Sequence, residues 1–192
     1  MRFEEVSAPE AVERIFAFRY RILDEKEETR KLLEGMENGL ESDAYDAHSV
    51  HFAAYDEAGE VVACTRLIRP SALGLPTLNN TRHHCTPEMC DPGKLGEFSR
   101  IFVAPQLRSI RKLHPLFDTL KIVGYKKMRD LDIVDTVGVL EKPFFRLLNM
   151  LGFPYEAVGE LQSYYGMRYP SRLNTRALYD ANRELFERHG VV

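Results

Sequence analysis

The sequence predicts an α/β domain in which helices flank a mixed, mostly antiparallel sheet. Three observations carry this. Short apolar runs rich in β-branched and aromatic residues recur between turn signals at His51–Tyr55, Val61–Arg69, Glu97–Val103 and Ile133–Val139. Stretches with apolar residues at helical spacing alternate with those runs, most clearly over Leu113–Leu131. The resulting order is helix, two strands, strand, helix, strand, helix, two strands and helix, as in a layered α/β unit. With 192 residues, 44% of them hydrophobic and 29% charged, the chain is expected to form one domain over residues 1–192 with its own core.

The elements follow in chain order. Ser7-Ala-Pro-Glu10 reads as a helix start, with a capping serine, a proline in the first turn and a glutamate three residues on. The helix runs to about Asp24, and Val12, Ile15, Phe16, Ile22 and Leu23 form its apolar stripe. Arg19 lies inside that stripe. Its guanidinium needs an acidic partner or an anionic ligand, unless the stem packs and the head reaches water. From Glu25 to Gly39 the chain is charged and weakly periodic, as a solvated helix or a segment that covers a site would be. Glu41-Ser-Asp43-Ala-Tyr-Asp46 then groups three carboxylates. A surface acidic loop is the plain reading; pairing with Arg19, or holding a substrate ammonium, is the sharper one. A hard-metal loop would bring a glycine turn and more ligands.

His51–Tyr55 and Val61–Arg69 flank the turn Asp56-Glu-Ala-Gly59 as an antiparallel hairpin. Alternation sends Arg66 and Arg69 to opposite faces, one of them towards Glu97. Between Ser71 and Gly93 lie His83, His84, Cys85 and Cys90 in a polar, loop-like stretch. They lack the paired C-x-x-C and H-x-x-x-H spacing of a structural zinc site, so an exposed excursion with reduced cysteines, and no metal, is expected. The central strand carries Glu97 and Arg100 within an apolar run. Unpaired charge is costly to bury there, so the two either satisfy each other or face a cleft. Pro105 ends the strand.

The helix Leu113–Leu131 buries Leu116, Phe117, Leu120 and Met128 and takes Pro115 into its first turn. Arg108, Arg111 and Lys112 precede it, and with Lys121, Lys126, Lys127 and Arg129 they make a local basic excess in a chain of net charge −3. That pattern suits an anionic partner. No aromatic residues interleave with the charges, which argues against single-stranded nucleic acid. Pro143 opens a short helix stopped by Gly152, Phe153–Val158 and Gln162–Met167 read as a closing antiparallel pair, and Thr175–His189 as a last amphipathic helix. No apolar run has the length of a transmembrane helix, and MRFEEVSAPE is too acidic for a signal peptide. A cytoplasmic location is therefore expected, and the odd number of cysteines, three, fits a reduced compartment.

Several motifs in this order carry a resemblance. They are Phe18-Arg19, Glu41-x-Asp43-x-Tyr-Asp46, Cys64-Thr-Arg66-Leu-Ile, Glu97-Phe-Ser-Arg100-Ile-Phe-Val, Leu107-Arg-Ser-Ile-Arg-Lys112 and Tyr165-Gly-Met-Arg168-Tyr-Pro170. Over roughly residues 15 to 170 the chain resembles the acyl-homoserine-lactone synthases. It resembles more closely the bacterial N-acyl amino acid synthases associated with exosortase systems. Both have the GNAT-like acyltransferase fold. The lactone synthases typically carry a tryptophan after the first helix, and this chain has none. GNAT enzymes usually bind the pyrophosphate of coenzyme A on a glycine-rich loop after the central strand. Here that loop is basic and free of glycine, which suits a protein-borne phosphopantetheine.

The resemblance implies an N-acyltransferase with no tightly bound cofactor. A fatty acyl group would pass from the phosphopantetheine of acyl carrier protein, or from acyl-coenzyme A, to the α-amine of an amino acid or similar small amine. A lactone synthase and an acetyl-coenzyme A N-acetyltransferase are the alternatives. Glu97 is the expected base and Arg100 its catalytic companion, with a backbone N–H for the oxyanion. Arg19, Asp43, Asp46, Arg66, Phe98 and Ser99 would shape the acceptor pocket. Val103, Arg108, Arg111 and Lys112 would meet the phosphopantetheine and its carrier. Strict alternation puts Glu97 and Arg100 on opposite faces, so a bulge is expected between them.

Overall fold

The computed structural model describes residues 1–36, 38–87 and 89–191. In chain order the elements are β1 (Phe3–Val6), α1 (Pro9–Asp24), the short α2 (Glu27–Arg30), β2 (Ser49–Tyr55), β3 (Val61–Ile68) and α3 (Pro76–Asn80). There follow β4 (Leu95–Val103), α4 (Ile110–Asp130), β5 (Asp135–Glu141) and α5 (Lys142–Met150). Last come β6 (Glu156–Ala157), β7 (Gln162–Ser163), β8 (Met167–Asn174), α6 (Thr175–Ala181) and α7 (Arg183–Arg188). The strands make one eight-stranded sheet in the order β1-β2-β3-β4-β5-β8-β6, with β7 also on β8. All neighbours are antiparallel except β4 and β5. The sheet is thus mixed and mostly antiparallel, as its sequence pattern predicts.

Two irregularities meet at β4 and position the site. On one side, β4 pairs with β5 only at Leu95–Asp135, Gly96–Thr136 and Glu97–Val137, after which the two strands part. Gly138 begins the divergence; a Cβ there would stand 3.1 Å from the Phe98 carbonyl. On the other side, the register with β3 slips between Cys64 and Arg66, and Arg100 takes a φ of +55°. This is the bulge that the Glu97–Arg100 spacing requires. It turns Arg100 onto the face that Glu97 and Ser99 already share. The opposite face of β4 packs on α4, with Phe98 against Gly124 and Phe117, Leu120 and Met128 fully buried.

Several expectations need correction. α1 is capped by Ala8 without a side-chain hydrogen bond, so Ser7 is not its cap. Strand β1 is too short to leave a period in the sequence, and its edge pairing with β2 stabilises it instead. α4 begins at Ile110, which puts Pro115 in its second turn and removes one bond within the helix. The segments read as a closing pair do not pair with each other; β6 and β7 each pair with β8. Pro170 lies within β8, although a proline has no N–H to give a ladder. Its carbonyl accepts from Val158, so its missing N–H faces the side where β6 is only two residues long. The last helix breaks at Asn182, whose Nδ2 donates to Gly152 O (2.6 Å) and whose Oδ1 accepts from Lys121 (2.8 Å). Cys90 is buried in a small core with Leu75 and Leu95, so the 71–93 segment is not a wholly exposed excursion. Glu37 and Glu88, within two of the stretches read above, lie outside the described residues. No helix among the described residues is long and apolar enough to cross a membrane.

Candidate active site

Glu97 sits at the last rung where β4 and β5 still pair, and it is 2% exposed. Its Oε2 accepts the backbone N–H of Thr77 (2.8 Å), in the first turn of α3. Burial pushes its carboxyl up to about 7, and the Thr77 hydrogen bond and the nearby Arg66 and Arg100 only partly oppose this. A carboxylic acid with that value is half ionised near neutral pH, as a general base should be. Glu97 and Arg100 form no ion pair with each other; each has other partners, so the structural-pair reading of this strand does not hold.

Arg100 belongs to a network of three arginines and three carboxylates. Arg19, 1% exposed on the inner face of α1, donates through Nε to Glu41 and through both terminal nitrogens to Asp46 (2.7 and 3.1 Å). Arg66, also 1% exposed, grips both oxygens of Asp43 (2.6 and 2.8 Å), touches Asp46 (2.8 Å) and donates through Nε to Ser99 Oγ (2.9 Å). Arg100 donates to Glu41 through Nε (3.0 Å) and Nη2 (2.8 Å) and reaches Asp43 at 3.3 Å. Burial alone would raise all three carboxyl groups, yet the surrounding guanidinium groups hold Glu41, Asp43 and Asp46 below the usual carboxylate range. The loop 41–46 is therefore the counter-charge of the site rather than a surface acidic loop. Beneath it, His51 is buried with Nε2 3.9 Å from Asp46, and burial pushes it down towards the neutral form.

The charged network forms one wall of a cleft of about 540 Å³ that opens where β4 and β5 part. Apolar side chains, including Ile22, Leu32, Ile101, Phe144 and Leu147, make up much of the rest, and Lys26, Glu141 and Arg168 stand at its rim. Phe98 and Ser99 both line it, but from opposite faces of β4: Ser99 holds Arg66, while Phe98 closes the apolar side. Burial pushes the Cys64 and Cys85 thiols up to about 12, so neither offers a thiolate at neutral pH. No group of three or more histidine, cysteine or acidic side chains among the described residues is placed to hold a metal.

A model of the acetyltransferase (GNAT) domain matches residues 18–117, more than half of the chain. The chain belongs to the GNAT acetyltransferase family. No curated protein matches it. Among solved structures, a coenzyme A-dependent acyl-homoserine lactone synthase, BjaI, with bound SAM and isopentyl-CoA, aligns with a TM-score of 0.69 and 18% identity. The match covers 96% of this chain and 88% of that one. MesI, also a coenzyme A-dependent acyl-homoserine lactone synthase, gives 0.67 and 20%, covering 96% and 95%. FeeM, an N-acyl amino acid synthase from uncultured soil microbes, gives 0.58 and 18%, covering 93% of each chain. These likenesses establish the GNAT-like fold.

In this GNAT chain the segment after the central strand is a single turn, Pro105–Leu107, joined to α4 by Arg108 and Ser109 alone. Val103 and Arg108 line the cleft, whereas Arg111 and Lys112 are exposed outside it. Arg108 is tied down, donating to Val103 O (2.9 Å) and pairing with Glu25 (3.0 Å). Lys112 donates to Gln106 O (2.9 Å). Three further residues belong to the site beyond those expected by number. Glu41 is fully buried and bridges Arg19 and Arg100, in keeping with the expected pairing of its carboxylate group with Arg19. Thr77 acts through its backbone, which no side-chain pattern reveals. Arg168 and Glu141 pair across β5 and β8 at the cleft rim (3.1 Å), a contact visible only once β8 is recognised as a strand.

Proposed function

We propose that this GNAT enzyme is an N-acyltransferase that moves a fatty acyl group from an acyl carrier protein thioester to the α-amine of an amino acid or similar small amine. One observation carries the reading. A buried carboxyl poised near neutral pH faces a large cleft, lined on one wall by a charge-balanced network and elsewhere largely by apolar side chains. A cleft of this size is in the range of drug-sized ligand sites and far exceeds an acetyl group. Glu97 takes a proton from the ammonium, and the freed amine attacks the thioester carbonyl. Beyond Glu97, β4 has no β5 partner, so its backbone N–H groups are candidates for holding the oxyanion. The C–N bond forms as the C–S bond breaks, and the attacking nitrogen gives up its second proton, which leaves on the departing thiol. None of the three cysteines lines the cleft, so transfer is direct rather than through an acyl-cysteine. Arg100 and Arg66 act through the shape and charge of the acceptor wall.

Purified protein offered long-chain acyl carrier protein, long-chain acyl-coenzyme A and acetyl-coenzyme A, each with a pool of amino acids, tests the reading, with products identified by mass spectrometry. Coenzyme A belongs in the comparison because two structural relatives are described as dependent on it. Long-chain N-acyl amino acid is the expected product. Turnover with acetyl-coenzyme A alone would overturn the donor, and a lactone formed from added SAM would favour the alternative synthase.

The carrier is expected to dock on the exposed rim of Arg111, Lys112 and the 50%-exposed Ile110. Arg108 is left intact in the test because it braces the loop. Arg111→Glu with Lys112→Glu should raise the KM for acyl carrier protein roughly tenfold with kcat little changed, since rim charges act on association. The parent reaction should also slow as salt rises. A short acyl-pantetheine donor should be indifferent to both changes. Equal loss with both donors would show that the rim serves chemistry or folding instead.

A further inference from the structure

The charges in the cleft do not balance everywhere. In the inner network three guanidinium groups meet three carboxylates, and Arg108 at the mouth meets Glu25. At the rim the count differs. Glu141 is shared by Arg168 (3.1 Å) and Lys26 (3.6 Å), so two cations face one anion. Arg168 is half-buried, spends Nε on the Tyr165 carbonyl (3.1 Å) and gives Nη2 to Glu141. No described residue accepts from its Nη1.

The position of this pair is fixed by register. Glu97 is level with Val137, and side chains alternate along a strand, so Val139 and Glu141 lie on the same face of the sheet as Glu97. Arg168 is directly across from Glu141 on β8. Four residues of β5, roughly 13 Å, separate the two rungs, and the long arginine and glutamate side chains narrow that gap from both ends. Tyr164 lines the same cleft. Glu97 and Arg168 thus face one cleft from two ends, one suited to an amine and the other to an anion.

We propose that Arg168 is the specificity-determining residue that receives the carboxylate of the acceptor, with Glu141 as the internal carboxylate the substrate displaces. This rests on the amino-acid reading above and names what separates an amino acid from a plain amine. Displacement costs little, because Glu141 is only partly buried and keeps Lys26 as a partner. The two residues therefore have opposite effects: Arg168 attracts the acceptor carboxylate, and Glu141 competes with it.

The test offers parent, Arg168→Gln and Glu141→Gln proteins an equimolar pool of the twenty amino acids, and separately a pool of their amides, with the same long-chain donor. KM is then measured for the amino acid that gives the main product and for its amide. The parent should prefer the acid, since the amide cannot form the charged contact. Arg168→Gln should raise the KM for the acid roughly ten- to hundredfold, the range for a hydrogen bond to a charged group, and leave the amide nearly unmoved. Glu141→Gln should lower the KM for the acid, which loss of a merely structural ion pair would not do. A parent that acylates amides as readily as acids, or an Arg168→Gln protein impaired equally with both, would overturn the assignment. So would a Glu141→Gln protein whose KM for the acid rises with that of the amide. If the parent acylates neither pool, the amino-acid reading itself fails, and this inference fails with it.

Discussion

Glu97→Gln should fold as well as the parent and turn over at least about a hundredfold more slowly, the usual scale for loss of a general base. Glutamine keeps the shape and can accept the Thr77 N–H, so the loss isolates the proton-transfer step. The pH profile makes the prediction sharper. The rate of the parent should climb with pH and level off above about 7, as the Glu97 carboxyl loses its proton, whereas the residual rate of the variant should lack that step. Stability should move the other way. The folded value lies above the ordinary 4.5, so between about 4.5 and about 7 the folded chain holds a proton that the unfolded chain has lost. Stability therefore falls as pH rises through that window and stays low above it. Removing the charge should make the variant the more stable protein at pH 8, by as much as about 3 kcal/mol, with little gain at pH 4. Chemical denaturation at the two pH values and turnover across the range check both halves. Near-parent turnover by the folded variant would remove Glu97 from the chemistry. An equal stability gain at both pH values would show that the carboxyl is not held protonated by its burial.

The parts of the fold that depend on local chemistry were legible in the sequence. The hairpin of β2 and β3, the central β4 and the long α4 each follow from periodicity or from turn residues within a few positions. The bulge at Arg100 was legible for a different reason: two charges three residues apart in a buried strand have to share a face to share a site. What was hidden depends on tertiary partners. β1 exists because β2 offers it an edge, and β8 tolerates Pro170 because β6 ends so early. The site divides in the same way. Arg19 announced itself as a cation on an apolar helix face. Glu41 stood in a group of carboxylates that could pair with Arg19, but only the pairing of its loop with three arginines shows why it is fully buried. That Glu97 leans on a main-chain amide, and that Arg168 meets Glu141, are consequences of packing that leave no residue pattern behind.

Glu41→Gln should be the most destabilising conservative change in the molecule. Glu41 is fully buried and accepts from Arg19 Nε and from two nitrogens of Arg100. With glutamine in its place, three arginines would face two carboxylates, and Arg19 would keep only Asp46. Leaving a buried charge short of its partner typically costs about 3–5 kcal/mol, and the midpoint of urea denaturation should fall accordingly at neutral pH. Two further observations separate pairing from packing. Arg19→Met should also destabilise the chain, but combined with Glu41→Gln it should cost clearly less than the sum of the two. The second change then removes a partner that is already unsatisfied, and coupling of roughly 1–3 kcal/mol is expected for side chains in contact. Acid should reproduce the effect without mutation. The folded values of Glu41, Asp43 and Asp46 are depressed, so the stability they confer is present above the ordinary carboxylate range and is lost as pH falls through the folded values. The parent should thus lose more stability on acidification than the Glu41→Gln protein does, and the two curves should converge as pH drops. A change of less than about 1 kcal/mol at neutral pH, the range of an exposed ion pair, would mean that water reaches the network and that its burial does not hold the acceptor wall in place.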